Sequence, residues 1–219
     1  DEHIDRIMER TRNRPLVSGE LDQKSALIFA LLLGALGIGM LVLLVNLLTA
    51  VLTFFSLVGY ALIYTMYLKR ATPQNIVLGG AAGAAPPVLG WTAVTGELHP
   101  EALLLFLIIF VWTPPHFWVL AYACKRDYEK ANVPMLPNVF DERTTVWVIT
   151  GHVLVLVALS IVPFFYGLSW IYLACVVAGG AYFIRETLRF HVKPSVSRAW
   201  KAFASSIAQL GLMLAGAIL

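Results

Sequence analysis

Charged residues are scarce in this sequence. Only 13% of its 219 residues are Asp, Glu, Lys or Arg, whereas 59% are hydrophobic and the mean hydropathy is +0.77. A soluble globular domain carries roughly 25% charged residues. The shortage of charge therefore excludes an ordinary soluble domain and indicates a protein that is solvated largely by lipid.

Cysteine is nearly absent as well. The number and spacing of Cys124 and Cys175 fit neither a zinc site nor a disulfide framework, so we interpret both as small buried hydrophobic residues. The net charge is only +3, and the basic residues are spread over separate segments. This distribution excludes nucleic acid as a partner.

Seven long apolar segments account for most of the chain. About 20 apolar residues in a helix cross the ~30 Å hydrocarbon core of a bilayer, at about 1.5 Å per residue. The segments predict an all-α, polytopic membrane helical bundle that forms a single domain over residues 1–219. They cover residues 25–47, 50–68, 76–95, 101–123, 146–166, 168–188 and 199–219.

The positions of the basic residues predict how this bundle is oriented. All 16 Lys and Arg residues lie in the N-terminal segment or beside the connections after the second, fourth and sixth apolar segments. The positive-inside rule makes that side cytoplasmic, which places the C-terminus on the opposite side. The alternation also supports the count of seven, because merging or splitting a helix would disrupt it.

Three charged segments adjoin the apolar helices on this basic side. They are DEHIDRIMERTRNRP (residues 1–15), YLKRATPQN (67–75) and KRDYEKANVPMLP (125–137). We expect them to meet in one polar cap. For the second segment the alternative is an interfacial belt of aromatic and basic side chains, and for the third it is a solvated loop.

The first charged segment has carboxylates at helical spacing. Asp1 and Asp5 share one helix face, and Glu9 follows one turn later. A cation should lie between like charges at this spacing. Mg²⁺ is one candidate, since it is often bound by one or two carboxylates together with phosphate oxygens and water. The alternative is a solvated helix whose ion pairs involve Arg6 and Arg10.

We expect this helix to end at Arg12, Arg14 and Pro15. The planar guanidinium groups of the two arginines are suited to binding phosphate oxygens.

Two proline pairs interrupt the apolar helices. Pro86 and Pro87 follow a Gly- and Ala-rich stretch and should break the third helix inside the membrane. Its flat face is suited either to helix packing or to lining a cavity. His116 follows Pro114 and Pro115 at membrane depth, where an ionisable residue is a functional candidate. The alternative is a buried imidazole bonded to a carbonyl that the prolines leave without a donor.

Three motif stretches together resemble a known family. DEHIDRIMERTRNRPL, YTMYLKRATPQNIVLGGAAGAAPPVLGW and WTPPHFWVLAYACKRDYEKANVPMLP, in this order, resemble the protohaem IX farnesyltransferases of bacteria. These are a branch of the UbiA-type intramembrane prenyltransferases. The resemblance implies nine helices around a membrane-open cavity with a cytoplasmic polar cap. We therefore expect the sequence to lack the first two helices and the Asn that opens the family's first motif before Asp1.

The resemblance also implies an activity. A farnesyl group would pass from farnesyl diphosphate to a vinyl group of haem B, giving haem O and diphosphate, while water supplies the new hydroxyl. Mg²⁺ is the implied cofactor. The bacterial inner membrane is the implied location, and haem A synthase or terminal oxidase assembly is an implied partner.

Site residues follow from the same resemblance. Asp1, Asp5 and Asp127 would bind the metal and, with Lys69, act in catalysis. His116 would bind haem. The diphosphate would be bound by Arg10, Arg14, Lys69, Lys125, Arg126 and Lys130, and the cavity would be lined by Tyr64, Asn75, Trp112 and Tyr128.

One position departs from the pattern of the quinone-type relatives. Ala131 stands where those relatives carry a second acid, four residues after Asp127, so metal binding at this end should be weaker. Two alternatives stay open. One is prenylation of an aromatic quinone precursor. The other is a membrane transporter, which the gathering of acids on one side disfavours.

Overall fold

The computed structural model describes residues 2–9 and 11–219, apart from the side chain of His3. Within these residues the structure is helical and contains no strand. A π-helix (Gly59–Leu68) directly follows one α-helix (Leu47–Val58), and a 3₁₀ turn (Val162–Tyr166) directly follows another (Glu142–Ile161). The α-helices are α1 (Glu2–Ile7), α2 (Pro15–Ser18), α3 (Gln23–Leu44), α4 (Leu47–Val58), α5 (Lys69–Ala71), α6 (Asn75–Ala84), α7 (Pro86–Thr95), α8 (Pro100–Ala123), α9 (Lys125–Lys130), α10 (Leu136–Val139), α11 (Glu142–Ile161), α12 (Trp170–Val192) and α13 (Val196–Ile218).

Seven spans of the described chain are long and apolar enough to cross a membrane, which confirms the predicted fold class. Their bounds shift by a few residues from the predicted segments, because capping side chains and turns set the ends. The spans are Gln23–Leu44, Leu47–Ala71, Asn75–Thr95, Pro100–Ala123, Glu142–Tyr166, Trp170–Val192 and Val196–Ile218.

Polar side chains fix the second span against the third. Asn46 caps α4 by accepting a hydrogen bond from the Thr49 backbone N–H at 2.8 Å. Its Nδ2 donates to the carbonyl of Thr92 in α7 at 2.8 Å, and the Thr49 hydroxyl donates to the Thr92 hydroxyl at 2.9 Å. These bonds hold α4 and α7 together at the end away from the charged segments.

The densest packing lies among α8, α11, α12 and α13. Tyr172 and Phe183 are fully buried there. A Cβ at Gly179 would lie 3.0 Å from the Cα of Gln209, so glycine lets α12 and α13 approach closely. By contrast, α3 has no buried residue, and most of its apolar side chains are exposed among the described residues.

Of three local predictions, the structure confirms one and corrects two. Ala84 ends α6 and Pro86 begins α7, so the predicted break in the third helix is present. The helix of the first charged segment already ends at Ile7, which leaves Glu9 beyond it. Pro15 begins α2 instead of ending a helix, because its fixed φ and missing N–H suit the first helical position.

Candidate active site

A polar cavity of about 290 Å³ lies where the three charged segments meet, here called the charged end of the bundle. Each segment contributes to its wall. The lining residues are Ile4, Asp5, Met8, Thr11, Arg14, Tyr60, Tyr64, Lys69, Asn75, Ile76, Phe117, Tyr128, Val133 and Met135.

Apolar anchors bring Asp5 to this cavity. Ile4 and Met8 are almost fully buried in a cluster with Ala121 and Met135. This burial fixes α1 against α8 and the loop after α9. The Thr11 hydroxyl donates to the Asp5 carbonyl at 3.1 Å, which holds the chain beyond α1 in place.

The carboxylate of Asp5 is paired with a guanidinium. Arg14 Nη1 donates to Asp5 Oδ2 at 2.9 Å, and the Asp5 side chain is 14% exposed against 59% for Arg14. An inward carboxylate and a more accessible cation are therefore placed side by side on the cavity wall. This arrangement is suited to an anionic group that binds together with a cation, because Arg14 can pair with the anion and Asp5 with the cation.

The other end of α1 is tied to the first span. Glu2 accepts hydrogen bonds from Gln23 at the start of α3 and from Arg6, the latter at 2.6 Å. These bonds, that from Gln23 most of all, hold the pKa of the Glu2 carboxyl below its usual value. The charged segment is thus anchored on both sides of Asp5.

The second charged segment contributes Lys69 and Asn75. Lys69 follows the π-helix, is half-buried and lies within electrostatic range of Asp5. Asn75 is 1% exposed and its Nδ2 donates to the Lys69 carbonyl at 3.2 Å. That bond orients the amide so that Oδ1, which has no hydrogen-bond partner among the described residues, is a buried acceptor beside the cavity.

The oxygen atoms available as ligands at this cavity are of the kind that suits the predicted Mg²⁺. The described residues contain no cluster of three His, Cys, Asp or Glu side chains that could hold a metal. Mg²⁺ does not need such a cluster, because it retains water and takes phosphate oxygens as ligands. The carboxylate of Asp5 and the unsatisfied Oδ1 of Asn75 supply hard oxygen ligands of the kind it prefers.

The third charged segment divides between two cavities. Tyr128 lines the polar cavity, whereas Asp127, Lys125 and Arg126 border a neighbouring cavity of about 820 Å³. Lys130 is exposed and borders neither of these two.

Asp1 and Arg10 lie outside the described residues.

Two other predicted site residues lie in helix packing, away from the polar cavity. His116 is stacked between Trp112 and Phe203, with ring centroids 4.1 and 4.4 Å apart. Its Nδ1 is 2.7 Å from the hydroxyl of Ser206, and Trp112 Nε1 donates to the Ser206 carbonyl at 2.9 Å. The imidazole is therefore bonded to a hydroxyl of α13, and not to a carbonyl freed by the prolines.

An apolar groove of about 440 Å³ adjoins the polar cavity. It lies between the π-helix and α6, and Phe55, Ile63 and Leu78 on its wall are at least half exposed. Tyr64 lines both the groove and the polar cavity. The Gly- and Ala-rich face of α6 forms one wall of the groove, which is the cavity-lining alternative that the sequence left open. The opposite wall could not be predicted, because the wider turn of the π-helix leaves no clear signal in an apolar run.

Comparison with known proteins places these features in a family. The family model described as the UbiA prenyltransferase family matches residues 1–212. A protoheme IX farnesyltransferase of Alkalilimnicola ehrlichii is 56% identical over 96% of this chain and 70% of its own length. One of Methylococcus capsulatus is 51% identical over 96% of this chain and 71% of its own length.

A solved structure shares the fold. A chain from a structural study of digeranylgeranylglyceryl phosphate synthase matches with a TM-score of 0.79 and 21% identity. The match covers 99% of this chain and 77% of that one.

Proposed function

Because this chain belongs to the UbiA prenyltransferase family and is a prenyltransferase, we propose that it transfers the farnesyl group of farnesyl diphosphate to a vinyl group of haem B. The products are haem O and diphosphate. The proposal for the acceptor and the farnesyl donor rests on the names of the relatives. Family membership also sets aside the transporter alternative.

One observation supports the proposal for the donor substrate: the polar cavity and the apolar groove meet at Tyr64. A prenyl diphosphate has the matching shape, with a polyanionic head and an apolar tail. Its head would bind at Arg14 and Lys69, and its tail would lie in the apolar groove. Charge and hydrophobicity thus orient the substrate in one direction.

The chain's own residues favour ionisation of the substrate. The allylic C–O bond breaks and its electron pair leaves with the diphosphate, whose charge Arg14 and Lys69 help to neutralise. Asp5 and Asn75 would hold Mg²⁺, which when bound makes the diphosphate a better leaving group. Tyr60 lines the polar cavity and stacks on Tyr64 with ring centroids 5.3 Å apart. The face of Tyr60 that is turned away from Tyr64 would stabilise the allylic cation.

The acceptor supplies the electrons for the new carbon–carbon bond. The terminal vinyl carbon of haem B supplies the electron pair for the new bond to the allylic carbon. The cation left on the haem side chain then takes up water and releases a proton, which gives the hydroxyl of haem O. This sequence needs no nucleophilic side chain from the protein.

The remaining site assignments are proposals of the same kind. His116 would orient or ligate haem, and Lys125, Arg126 and Lys130 would add positive charge near the diphosphate. The bilayer would be the bacterial inner membrane, with the charged end in the cytoplasm. Haem A synthase or terminal oxidase assembly would be a partner.

A reconstituted assay tests the proposed function. We expect the protein in lipid vesicles with haem B, farnesyl diphosphate and Mg²⁺ to release diphosphate and form haem O, measured by chromatography of extracted haem. Omitting haem B should abolish diphosphate release. Turnover of a quinone precursor such as 4-hydroxybenzoate, with haem B left unchanged, would favour the other branch of the family.

A second prediction concerns Asp127. Because it borders the neighbouring cavity, its carboxylate should act on the diphosphate at longer range, and we expect Asp127→Asn to lower kcat about tenfold. Glu129→Gln, on the same cavity, is the matched control and should keep its activity. No loss in Asp127→Asn would remove this residue from the metal and diphosphate site, whereas a loss of about 1,000-fold would place it in direct contact.

A further inference from the structure

Tyr64 lies at the boundary between the polar cavity and the apolar groove. Its ring lines the polar cavity with Asp5 and Lys69, and it also lines the apolar groove with Leu78 and Gly79. A prenyl diphosphate that places its head in one and its tail in the other must pass this ring. The position of the ring therefore determines where the allylic carbon lies.

Gly79 is the residue that permits this position. A Cβ built on Gly79 would lie 2.5 and 2.9 Å from Cε2 and Cγ of the Tyr64 ring, and closer still to its Cδ2. These distances are far below van der Waals contact, so any side chain at position 79 must displace the ring or the helix. The ring rests directly on the backbone of α6, while Tyr60 stacks on it from within the π-helix.

We propose that Gly79 is a positioning residue: its missing side chain seats the Tyr64 ring between the polar cavity and the apolar groove. The ring thereby fixes where the prenyl tail enters the groove and how much of the groove remains for it, which selects the length of the prenyl chain. This inference rests on the proposed function for its substrate class. It adds that chain-length selectivity is set at the junction of α6 with the π-helix, by the contact between Gly79 and Tyr64.

The neighbouring glycines show that this role belongs to one position. Gly80 faces Thr113 in α8, 3.0 Å from where its Cβ would lie, so it serves helix packing. A Cβ at Gly83, one turn further along α6, would meet no described atom within 4 Å. Gly83→Ala is therefore a matched control for the same chemical change on the same helix.

The test compares substrates of different length. We expect Gly79→Ala to change the ratio of kcat/KM for farnesyl over geranyl diphosphate by about tenfold, in favour of the shorter chain, because over-packing at this level shifts the ring. Gly83→Ala should leave the ratio unchanged. Tyr64→Ala should lose discrimination among geranyl, farnesyl and geranylgeranyl diphosphates, since the two compartments then merge.

A double variant isolates the contact. In the Tyr64→Ala background, adding Gly79→Ala should change the ratio less than about twofold, because no ring remains to be displaced. If Gly79→Ala alone does not fold, as judged by its melting curve in detergent, the comparison of Tyr64→Ala with the double variant and with wild type carries the test. An equal loss for all three substrates in the variants, or a Gly79→Ala effect that persists without the ring, would overturn the proposal.

The proposed function and this inference fail separately. If the wild-type protein binds the unreactive analogue farnesyl thiodiphosphate but forms no haem O, the acceptor is wrong, and the same variant ratios are measured as dissociation constants. If the wild type makes haem O and the ratios do not move, only the inference is wrong. If the wild type does not bind the analogue, both are overturned.

Discussion

Asp5→Asn is expected to lower kcat for haem O formation about 1,000-fold, the largest effect of any single substitution in this site. The change keeps the shape of the side chain but removes its charge. Asp5 is the inward carboxylate of the polar cavity. It would be the principal ligand for the Mg²⁺ that neutralises the departing diphosphate.

The expected loss lies mainly in the rate of ionisation. An asparagine is a weaker ligand for a hard cation than a carboxylate, and its amide N–H₂ would oppose the guanidinium of Arg14. KM for farnesyl diphosphate should change less, because Arg14 and Lys69 still bind the head group. Raising the Mg²⁺ concentration should recover part of the activity if metal affinity is what was lost.

A nearby acid provides the control for Asp5. Glu9→Gln also removes one carboxylate from the first charged segment, but Glu9 is exposed and does not line the cavity. It should retain activity. Folding of Asp5→Asn should be preserved, because Ile4 and Met8 hold α1 in place. Activity close to wild type in Asp5→Asn, with unchanged dependence on Mg²⁺, would contradict the metal assignment.

Lys69→Gln is expected to lower kcat/KM about 100-fold, the second largest effect. The ammonium group is half-buried on the cavity wall, where the lower dielectric makes one positive charge worth more than at the surface. It would bind the diphosphate in the ground state and bind it more strongly as charge develops during ionisation. Both KM and kcat should therefore worsen.

The adjacent Arg70 separates a local role from general electrostatics. Arg70 is exposed and does not line the cavity, so Arg70→Gln should cost little even though it removes the same charge. Binding of farnesyl thiodiphosphate, measured by calorimetry at several salt concentrations, should weaken in Lys69→Gln and stay near wild type in Arg70→Gln. Equal losses in the two variants would mean that only overall charge matters.

Several features of the molecule could be predicted because they depend on local sequence. The number of spans follows from the length of apolar runs, and the break before Pro86 follows from the chemistry of proline. The family was identified from three motif stretches and is confirmed by its match over residues 1–212. Each of these features belongs to a short stretch of chain.

Other features depend on residues that are distant in sequence. Asp127 and Tyr128 are neighbours in α9 but border different cavities. Adjacent residues in a helix point about 100° apart, so periodicity separates the two side chains. It does not show which cavity each one borders, because that depends on how α9 lies against the rest of the bundle. Likewise, His116 meets Ser206 through the packing of α8 against α13, a contact that no local pattern predicts.

The sequence by itself determined the all-α membrane bundle, the family and the three charged segments that meet at one end. Burial of apolar residues in lipid and the exclusion of charge from it are properties of residue type, so composition and order suffice for these. Only the tertiary structure decided which side chains share a cavity. The π-helix and the missing side chain of Gly79 place Tyr64 between the polar cavity and the apolar groove, because steric fit between separate helices fixes the position of the ring.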